Sequence, residues 1–270
     1  MAPSPAPPRD SVAFGLMGDT PYSEGEVRRL DSLIDALNAE PLAFVAHVGD
    51  ITSGRGPCSD AWFEARKQQL ARIRHPFILL PGDNDWTDCH RSGFDPLERL
   101  QKWRSLFCLS DKQFLSLEKQ TGPYCEHVRW QHEGAMFVAL NVQGSNNNLG
   151  RTKAMDAEYE RRMAAVFEWL DESIALAESR GMTKVVVLMQ ADPFERHSPD
   201  GFARLRNVLA AHASWHKNKL VLVHGDSHLY KDDEPLPGLR RIEVYGSPFV
   251  SWLRGTVTAG ELRAEATGQY

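Results

Sequence analysis

Five apolar runs in this 270-residue chain stop abruptly at side chains that can bind a cation. The groups that follow the runs are, in chain order, Gly18-Asp19, Gly49-Asp50, Gly82-Asp83-Asn84-Asp85-Trp86, Gln190-Ala191-Asp192 and His224-Gly225-Asp226-Ser227-His228. Four of these groups contain the pair Gly-Asp, and glycine permits a sharp exit from a strand. Because open α/β folds hold their ligands at the carboxyl ends of strands, the pattern predicts several acidic side chains at one sheet edge.

The segments between these runs have the periodicity of helices. Ser23 and Glu26 have the spacing of a capping box, and apolar residues then recur at helical spacing as far as Leu37. Another helix is predicted from Asp95-Pro96 to Phe107, a hairpin from 125 to 142, and a long amphipathic helix over 154–180. Strands that alternate with helices in this way indicate an α/β fold with right-handed crossovers and a largely parallel central sheet.

Composition limits the domain organisation and the partners. Proline-rich residues 1–10 are predicted to be a disordered leader, and residues 11–270 a single domain because no linker divides them. A net charge of -5 gives no excess of basic residues that would bind nucleic acid, and no apolar run approaches the roughly 20 residues of a membrane span. We therefore expect neither nucleic acid nor a membrane as a partner, and the sequence does not determine the oligomeric state.

The N-terminus and the cysteines bear on the compartment. Since the first residues contain no apolar signal core, the sequence as it stands predicts a cytoplasmic protein, and a periplasmic or secreted protein is the alternative if a signal peptide has been removed. The chain has four cysteines, of which Cys58 and Cys89 both follow predicted site loops. A disulfide between these two is one of the three pairings that four cysteines allow, and it would brace the loops.

The polar residues at the strand ends are of the types that bind metal ions. They are Asp19, Asp50, Asp83, Asn84, Gln190, Asp226 and His228. A single Gly-Asp pair, taken alone, is better explained by a turn with a side-chain hydrogen bond to the backbone. Repetition at the end of nearly every strand favours a shared cation site instead.

These residues also carry a resemblance to a known family. The order Asp, Gly-Asp, Gly-Asn-His-Asp/Glu, His, Gly-His-x-His is the signature of the calcineurin-like metallophosphoesterases, and the chain resembles it from Val12 to about Tyr245. The resemblance implies a four-layer α/β/β/α sandwich that holds two metal ions at the strand ends. It matches Asp19 to the first aspartate, Asp50 to the metal-bridging aspartate and His228 to the last histidine.

The chain departs from the family signature at several ligand positions. Pro21 stands where the family has a histidine, and Asn84 stands in the place of the catalytic histidine. Asp83, Gln190 and Asp226 replace an asparagine and two histidines of the signature, and the pattern Gly-Asp-Asn-Asp-Trp resembles a divergent branch. Carboxylate and amide oxygens suit Mg²⁺, Mn²⁺ and Ca²⁺, whereas imidazole suits Zn²⁺ and iron. We therefore expect divalent ions, two in number by the resemblance, with Mg, Mn or Ca favoured over Zn or Fe.

The resemblance implies a metal-dependent phosphoric-ester hydrolase, a monoesterase or diesterase, that attacks a small-molecule phosphoester with a metal-activated water. Asn84, Asp85 and His224 are the predicted catalytic residues, although Asn84 has no titratable proton to give a leaving group. His90 and Trp86 are candidates for substrate binding, with a packed core position as the alternative for Trp86. The alternative function is a degenerate family member that binds a metal or a phosphorylated ligand without turnover.

Overall fold

The structure is a computed structural model that describes residues 12–108, 117–216, 219–258 and 260–270. The leader predicted over residues 1–10 lies outside the described residues. The strands of the described residues are β1 (Ala13–Met17), β2 (Leu42–His47), β3 (Phe77–Leu79), β4 (Glu118–Lys119), β5 (Val128–His132), β6 (Ala135–Ala139), β7 (Lys184–Leu188), β8 (Leu220–His224), β9 (Lys231–Leu236), β10 (Leu239–Glu243), β11 (Leu253–Thr258) and β12 (Glu261–Ala266). The helices are α1 (Glu24–Ala39), α2 (Asp60–Leu70), α3 (Pro96–Phe107), the single turn α4 (Gly144–Asn147), α5 (Lys153–Ser179) and α6 (Ala203–His216), with a 3-10 helix at Thr87–Ser92.

The strands form two mixed sheets instead of one largely parallel sheet. The first has the order β12-β11-β1-β2-β3, and the second has the order β4-β5-β6-β7-β8-β10-β9. Strands β1, β2 and β3 are parallel, as are β6, β7, β8 and β10, which confirms the predicted crossovers. Antiparallel strands complete both sheets, because the C-terminal hairpin β11-β12 returns to pair with β1, and β5 and β9 pair with the parallel strands of the second sheet.

Three apolar interiors separate four layers. Phe14 and Phe44 of the first sheet pack against Phe137 and Val186 of the second, so the two sheets face each other. The outer face of the first sheet packs on α1, α2 and α3, and the outer face of the second sheet packs on α5 and α6. This arrangement confirms the α/β/β/α sandwich that the family resemblance implied.

The start of α1 positions a residue of the functional site. Ser23 is the N-cap and accepts a hydrogen bond from the Glu26 N–H, as the capping-box pattern predicted. The Glu26 carboxylate reaches one residue further back and accepts the Tyr22 N–H at 2.8 Å and the Ser247 hydroxyl at 2.8 Å. Tyr22 is therefore held by its backbone where the chain enters the helix. Among the described helices, none has both the length and the apolar character that a membrane span needs.

Two disulfides cross-link the chain, Cys58–Cys89 and Cys108–Cys125. The first confirms the pairing that the sequence left open. Cys58 lies in the segment after β2 and Cys89 in the 3-10 helix after β3, so the bond joins the segments that follow Asp50 and Asp83.

We predict that the double variant Cys58→Ser/Cys89→Ser has a free energy of unfolding about 3–4 kcal/mol lower than wild type, because the bond closes a loop with a sequence separation of 31. Urea unfolding measures the loss. The matched control is Cys108→Ser/Cys125→Ser, whose loop is shorter, with a separation of 17. Both variants lose stability, but only the first loosens the loops at the strand ends and weakens binding of divalent ions. Equal ion affinity in the two double variants would contradict the bracing role.

Candidate metal centre

Four aspartates meet at the carboxyl ends of strands from both sheets. Asp19, Asp50 and Asp83 follow β1, β2 and β3 of the first sheet, and Asp226 follows β8 of the second. Asp19, Asp50 and Asp83 are buried, and Asp226 is half-buried. The Gln190 amide nitrogen, after β7, donates to three of them, at 3.4 Å to Asp19, 3.2 Å to Asp50 and 3.2 Å to Asp226. The predicted convergence of these strand ends is therefore present in the fold.

The backbone at these positions is turned out of the strand conformation. Asp19, Asp50, Asp226 and His228 have φ of 48°, 64°, 81° and 67°. The left-handed region is tolerated best by glycine, asparagine and aspartate, and its occurrence at one cluster is typical of functional sites. A β-carbon at Gly82 would collide with an Asp50 carboxylate oxygen. A β-carbon at Gly225 would likewise collide with an Asp19 carboxylate oxygen, so these two glycines leave room for the carboxylates.

Asp85 does not face the cluster, which corrects its predicted catalytic role. Its side chain is fully buried, and it accepts the backbone N–H groups of Gly82, Asp50 and Ile51 at 2.9, 3.0 and 2.8 Å. Three donors occupy both carboxylate oxygens, so Asp85 ties the loop after β3 to the loop after β2. These contacts position Asp50.

Tyr22 is a site residue that the strand-end pattern missed, since it lies three residues beyond Asp19. Its hydroxyl donates to the Asp50 carboxylate at 2.8 Å, accepts from the Asn84 amide nitrogen at 2.9 Å and lies 3.2 Å from His228 Nε2. It therefore occupies the middle of the predicted ligand set. The capping interactions of α1, which hold its backbone, are the sequence signal that could have located it.

The hydrogen bonds of His228 determine which of its nitrogens faces the site. Nδ1 lies 2.8 Å from the Ser247 carbonyl oxygen, which can only accept, so Nδ1 carries the proton. In the neutral imidazole, Nε2 then carries the lone pair, and it lies 3.2 Å from the Tyr22 hydroxyl and 4.0 Å from an Asp19 oxygen. A carbonyl that fixes the tautomer in this way is the usual partner of a metal-binding histidine.

The orientation of Gln190 disagrees with its predicted role as a metal ligand. Its amide oxygen accepts the Gly144 backbone N–H at 2.6 Å, while its NH₂ group points at the carboxylates. An amide nitrogen offers no lone pair, so Gln190 in this orientation holds Asp19, Asp50 and Asp226 together as a hydrogen-bond donor. Asn84 likewise directs its amide nitrogen at Tyr22, which leaves only its oxygen for an ion.

Burial and mutual repulsion raise the carboxyl pKa values throughout the cluster. Loss of solvation is the largest cause for every group, and the neighbouring carboxylates add to it. The pKa of Asp19 is raised to about 8, that of Asp85 to about 7 and that of Asp83 to about 6, and the pKa values of Asp50 and Asp226 lie well above the ordinary range. A cluster of this kind fits a divalent cation, because the ion supplies the positive charge that the carboxylates lack.

The cluster opens into a cavity of about 700 Å³ that Asp50, Asp83, Asn84, Asp226 and His228 line at one side. Ser145 and Asn146 are further lining residues that the sequence prediction placed in a plain loop. Residues 145–148 all have φ between 48° and 70°, a left-handed turn that a run of asparagines tolerates. The Ser145 hydroxyl contacts Asp83 at 2.7 Å and Asp88 at 2.8 Å.

His224 does not line the cavity, although the sequence predicted it to be catalytic. It is fully buried, and its Nδ1 lies 2.7 Å from the Gly225 carbonyl oxygen. Its ligand atom lies within 4.8 Å of carboxylate oxygens of Asp192 and Glu243, which offer a grouping of metal-ligand types. Lys231 pairs with Glu243 at 2.6 Å and Arg241 with Asp192 at 3.2 Å, so side chains of this protein already balance the two acids.

The two predicted substrate-binding residues do not line the cavity. Trp86 is fully buried, so the core position is correct for it and the substrate contact is wrong. His90 is exposed and its Nδ1 lies 3.0 Å from the Thr87 carbonyl oxygen, but its side chain is outside the cavity lining. Proximity in sequence to Asp83 was therefore a poor guide to which side chains can meet a substrate.

Comparison with known proteins identifies the family. A sequence profile described as calcineurin-like phosphoesterase matches residues 13–230. The chain belongs to this family. No curated protein sequence matches it.

Solved structures share the fold at low sequence identity. A dimetal phosphatase from Danio rerio superposes with a TM-score of 0.62 at 14% identity, over 97% of this chain and 98% of that one. The purple acid phosphatase PPD1 from yellow lupin (Lupinus luteus) seeds gives 0.55 at 12% identity, over 97% of this chain and 53% of that one. GAP50, described as the anchor in the inner membrane complex of Plasmodium, gives 0.55 at 11% identity, over 97% and 90%.

We predict that the metal-stripped protein loses stability as the pH rises from 6.5 to 8. A carboxyl whose pKa is raised by folding binds its proton more tightly in the folded state, so its contribution is lost as the pH passes the folded value, about 8 for Asp19. The expected loss is on the order of 1–2 kcal/mol per such group, measured by urea unfolding in a chelator. Saturating Mn²⁺ removes the trend, since the ion replaces the protons.

The pH range of this experiment begins at 6.5 so that the buried histidines do not contribute an opposing change in stability. Burial lowers the pKa of His47 and of His127 to about 4, so these groups reduce stability only below about pH 6.5. Stability that stays flat or rises between pH 6.5 and 8 in the chelator would contradict the charge assignment.

Proposed function

We propose that this protein is a divalent-metal-dependent phosphoesterase that hydrolyses a small phosphorylated molecule in the cavity beside Asp50. The observation that carries the proposal is the meeting of Asp19, Asp50, Asp83 and Asp226 at the strand ends, where the last three line that cavity. Among the described residues no lysine or arginine forms an ion pair with any of the four, and His228 is the one basic side chain near them, 4.0 Å from Asp19. Family membership supports the reaction class, and the Danio rerio structure of the same fold is a dimetal phosphatase.

The donor set favours hard cations. The candidate donors are carboxylate oxygens of the four aspartates, the Tyr22 hydroxyl, the Asn84 amide oxygen and a single imidazole nitrogen, Nε2 of His228. Oxygen-rich sets suit Mg²⁺, Mn²⁺ and Ca²⁺ better than Zn²⁺. When bound, such ions would supply an activated water and would neutralise charge on a phosphoester.

The residues of this chain divide into ligands and supports. Asp50 lies at the centre of the set, since its Oδ2 meets Tyr22 and Gln190 while its Oδ1 accepts the Asn84 N–H at 2.9 Å. Asp50 would therefore be a central ligand of any ions bound here. Asp85 and Gln190 hold the ligands in place, and His228 is oriented by the Ser247 carbonyl.

One observation favours a binding protein without turnover as the second candidate. The Asn84 amide replaces an acid and is already bonded to Tyr22, so it has no proton to give a leaving group. The Tyr22 hydroxyl also fills space between Asp50 and His228. A protein with this centre can bind a metal and a phosphorylated ligand and still turn over slowly or not at all.

The disulfides favour the periplasmic or secreted alternative over the cytoplasmic prediction. Two disulfides in one chain are typical of oxidising compartments, because the reducing cytosol keeps such thiols unpaired. Counting free thiols in the protein isolated under alkylating conditions from its natural source tests this inference. Four free thiols would support the cytoplasm.

We predict that Asp50→Asn abolishes specific binding of divalent ions and phosphoester hydrolysis together. Calorimetric titration of the metal-stripped protein with Mn²⁺, Mg²⁺, Ca²⁺ and Zn²⁺ measures the first, and phosphate release from a small ester measures the second. The control is Asp60→Asn, an exposed carboxylate on α2 that pairs with Lys102. Two ions per wild-type chain are expected. Ion binding without hydrolysis of any ester would leave the binding protein as the function.

We predict further that hydrolysis depends strongly on the leaving group, because the described site offers no acid at the Asn84 position. Aryl phosphates of graded phenol pKa measure this dependence. A plot of log kcat against leaving-group pKa should fall steeply, and a flat plot would show that another group supplies the proton.

A further inference from the structure

Two arginines lie in the same cavity as the metal centre. Arg91, from the 3-10 helix after β3, and Arg151, from the turn before α5, both line it together with Asp88. Among the described lining residues they are the permanent positive charges, since the lining contains no lysine and no further arginine. The cavity is therefore acidic at the strand ends and basic at this second position.

One buried carboxylate holds both guanidinium groups. Asp88, which is only 2% exposed, accepts from Arg91 at 2.6 Å and from Arg151 at 3.3 Å. Arg151 also donates to the Thr87 backbone carbonyl and at 3.2 Å to the Thr87 hydroxyl. The two heads are thus fixed in position before any ligand arrives, and one carboxylate against two guanidinium groups leaves one positive charge.

The arginines retain donors for a ligand. Within the described parts of the chain, the contacts of Arg91 to Gly54 and Asp88 all use Nη1, so its Nε and Nη2 hydrogens are open to another acceptor. The side chains of Arg91 and Arg151 are 40% and 27% exposed, which gives an anion access to them from the cavity. Guanidinium groups that are planar and held in place suit the oxygens of phosphate and carboxylate.

A serine connects the two parts of the cavity. The Ser145 hydroxyl contacts Asp83 of the metal centre at 2.7 Å and Asp88 of the arginine pair at 2.8 Å. A single hydroxyl group therefore bridges Asp83 of the metal centre and Asp88 of the arginine pair. A cavity of about 700 Å³ is large enough to hold a small molecule that reaches both.

We propose that Arg91 and Arg151 bind a second anionic group of the substrate, a phosphate or a carboxylate, while the reacting phosphoryl group lies at the aspartates. The preferred substrate class is then a small phosphoester that carries two anionic groups. This inference rests on the proposed function, because both concern one cavity. Arg91 and Arg151 determine specificity here and play no part in the chemical step.

Equilibrium binding of inert probes to the Mn²⁺-loaded protein tests the proposal without turnover. The probes are methylphosphonate, with one anionic group, phosphonoacetate, with an added carboxylate, and propane-1,3-bisphosphonate, with an added phosphonate. Wild type is expected to bind at least one of the two larger probes more tightly than methylphosphonate. Tighter binding of phosphonoacetate would show that the second group is a carboxylate, and tighter binding of propane-1,3-bisphosphonate would show that it is a phosphate.

The variants Arg91→Gln and Arg151→Gln should weaken that probe roughly tenfold, as expected for one lost charge-assisted hydrogen bond, and leave methylphosphonate unchanged. Arg91→Lys keeps a positive charge beside Asp88 and should fall between. Arg28→Gln, an exposed position on α1, is the control for net charge. Thermal unfolding of each variant confirms that it is folded.

Equal wild-type affinity for the three probes would overturn the proposal. A parallel loss of methylphosphonate affinity in both glutamine variants would also overturn it, since the arginines would then support the metal centre itself. Failure of this inference can be distinguished from failure of the proposed function. Arginine-dependent binding without hydrolysis removes the hydrolase alone, and hydrolysis without an arginine-dependent preference removes this inference alone.

Discussion

The burial of several carboxylates at one point is the constraint on which the rest of this structure depends. Repulsion among Asp19, Asp50, Asp83 and Asp226 works against folding, and the loss of water around them raises their pKa values. The apolar interior between the sheets and the two helical layers must hold them together against this repulsion. A cation of charge two converts the same arrangement from a cost into a source of stability.

The polar groups around the cluster hold it with donors. The Gln190 amide donates to three carboxylates, Tyr22 donates to Asp50, and Asp85 ties the Asp50 loop to the Gly82 loop through backbone N–H groups. The Cys58–Cys89 bond fixes the same two loops further out. Rigid ligands are needed because a binding site for an ion must keep its donors at set distances before the ion arrives.

The charge pattern continues from the metal centre into the cavity. Asp88 is balanced by Arg91 and Arg151, whereas Asp83, one Ser145 hydroxyl away, is balanced by no arginine or lysine of the described residues. The cavity thus has an acidic part at Asp83 and a basic part at Arg91 and Arg151, and Ser145 of the left-handed turn lies between them. The 3-10 helix and the left-handed turn supply Asp88, Arg91, Ser145 and Asn146 to the cavity lining.

The sequence alone determined the strand ends and their chemistry. Gly-Asp after apolar runs predicted Asp19, Asp50, Asp83 and Asp226 at strand ends. The carboxyl ends of the parallel strands β1, β2 and β3 bring the first three together. Asp226 joins them because the second sheet packs face to face on the first. Local signals also located the capping box at Ser23 and the long helix α5. The tertiary structure decided which neighbours of those residues face the cavity. Trp86, Asp85 and His224 adjoin the ligands in sequence but point into the interior, since successive residues of a turn diverge. Tyr22, Ser145 and Arg151 reach the cavity because distant segments pack there, and contacts of that range leave no periodic trace in the sequence.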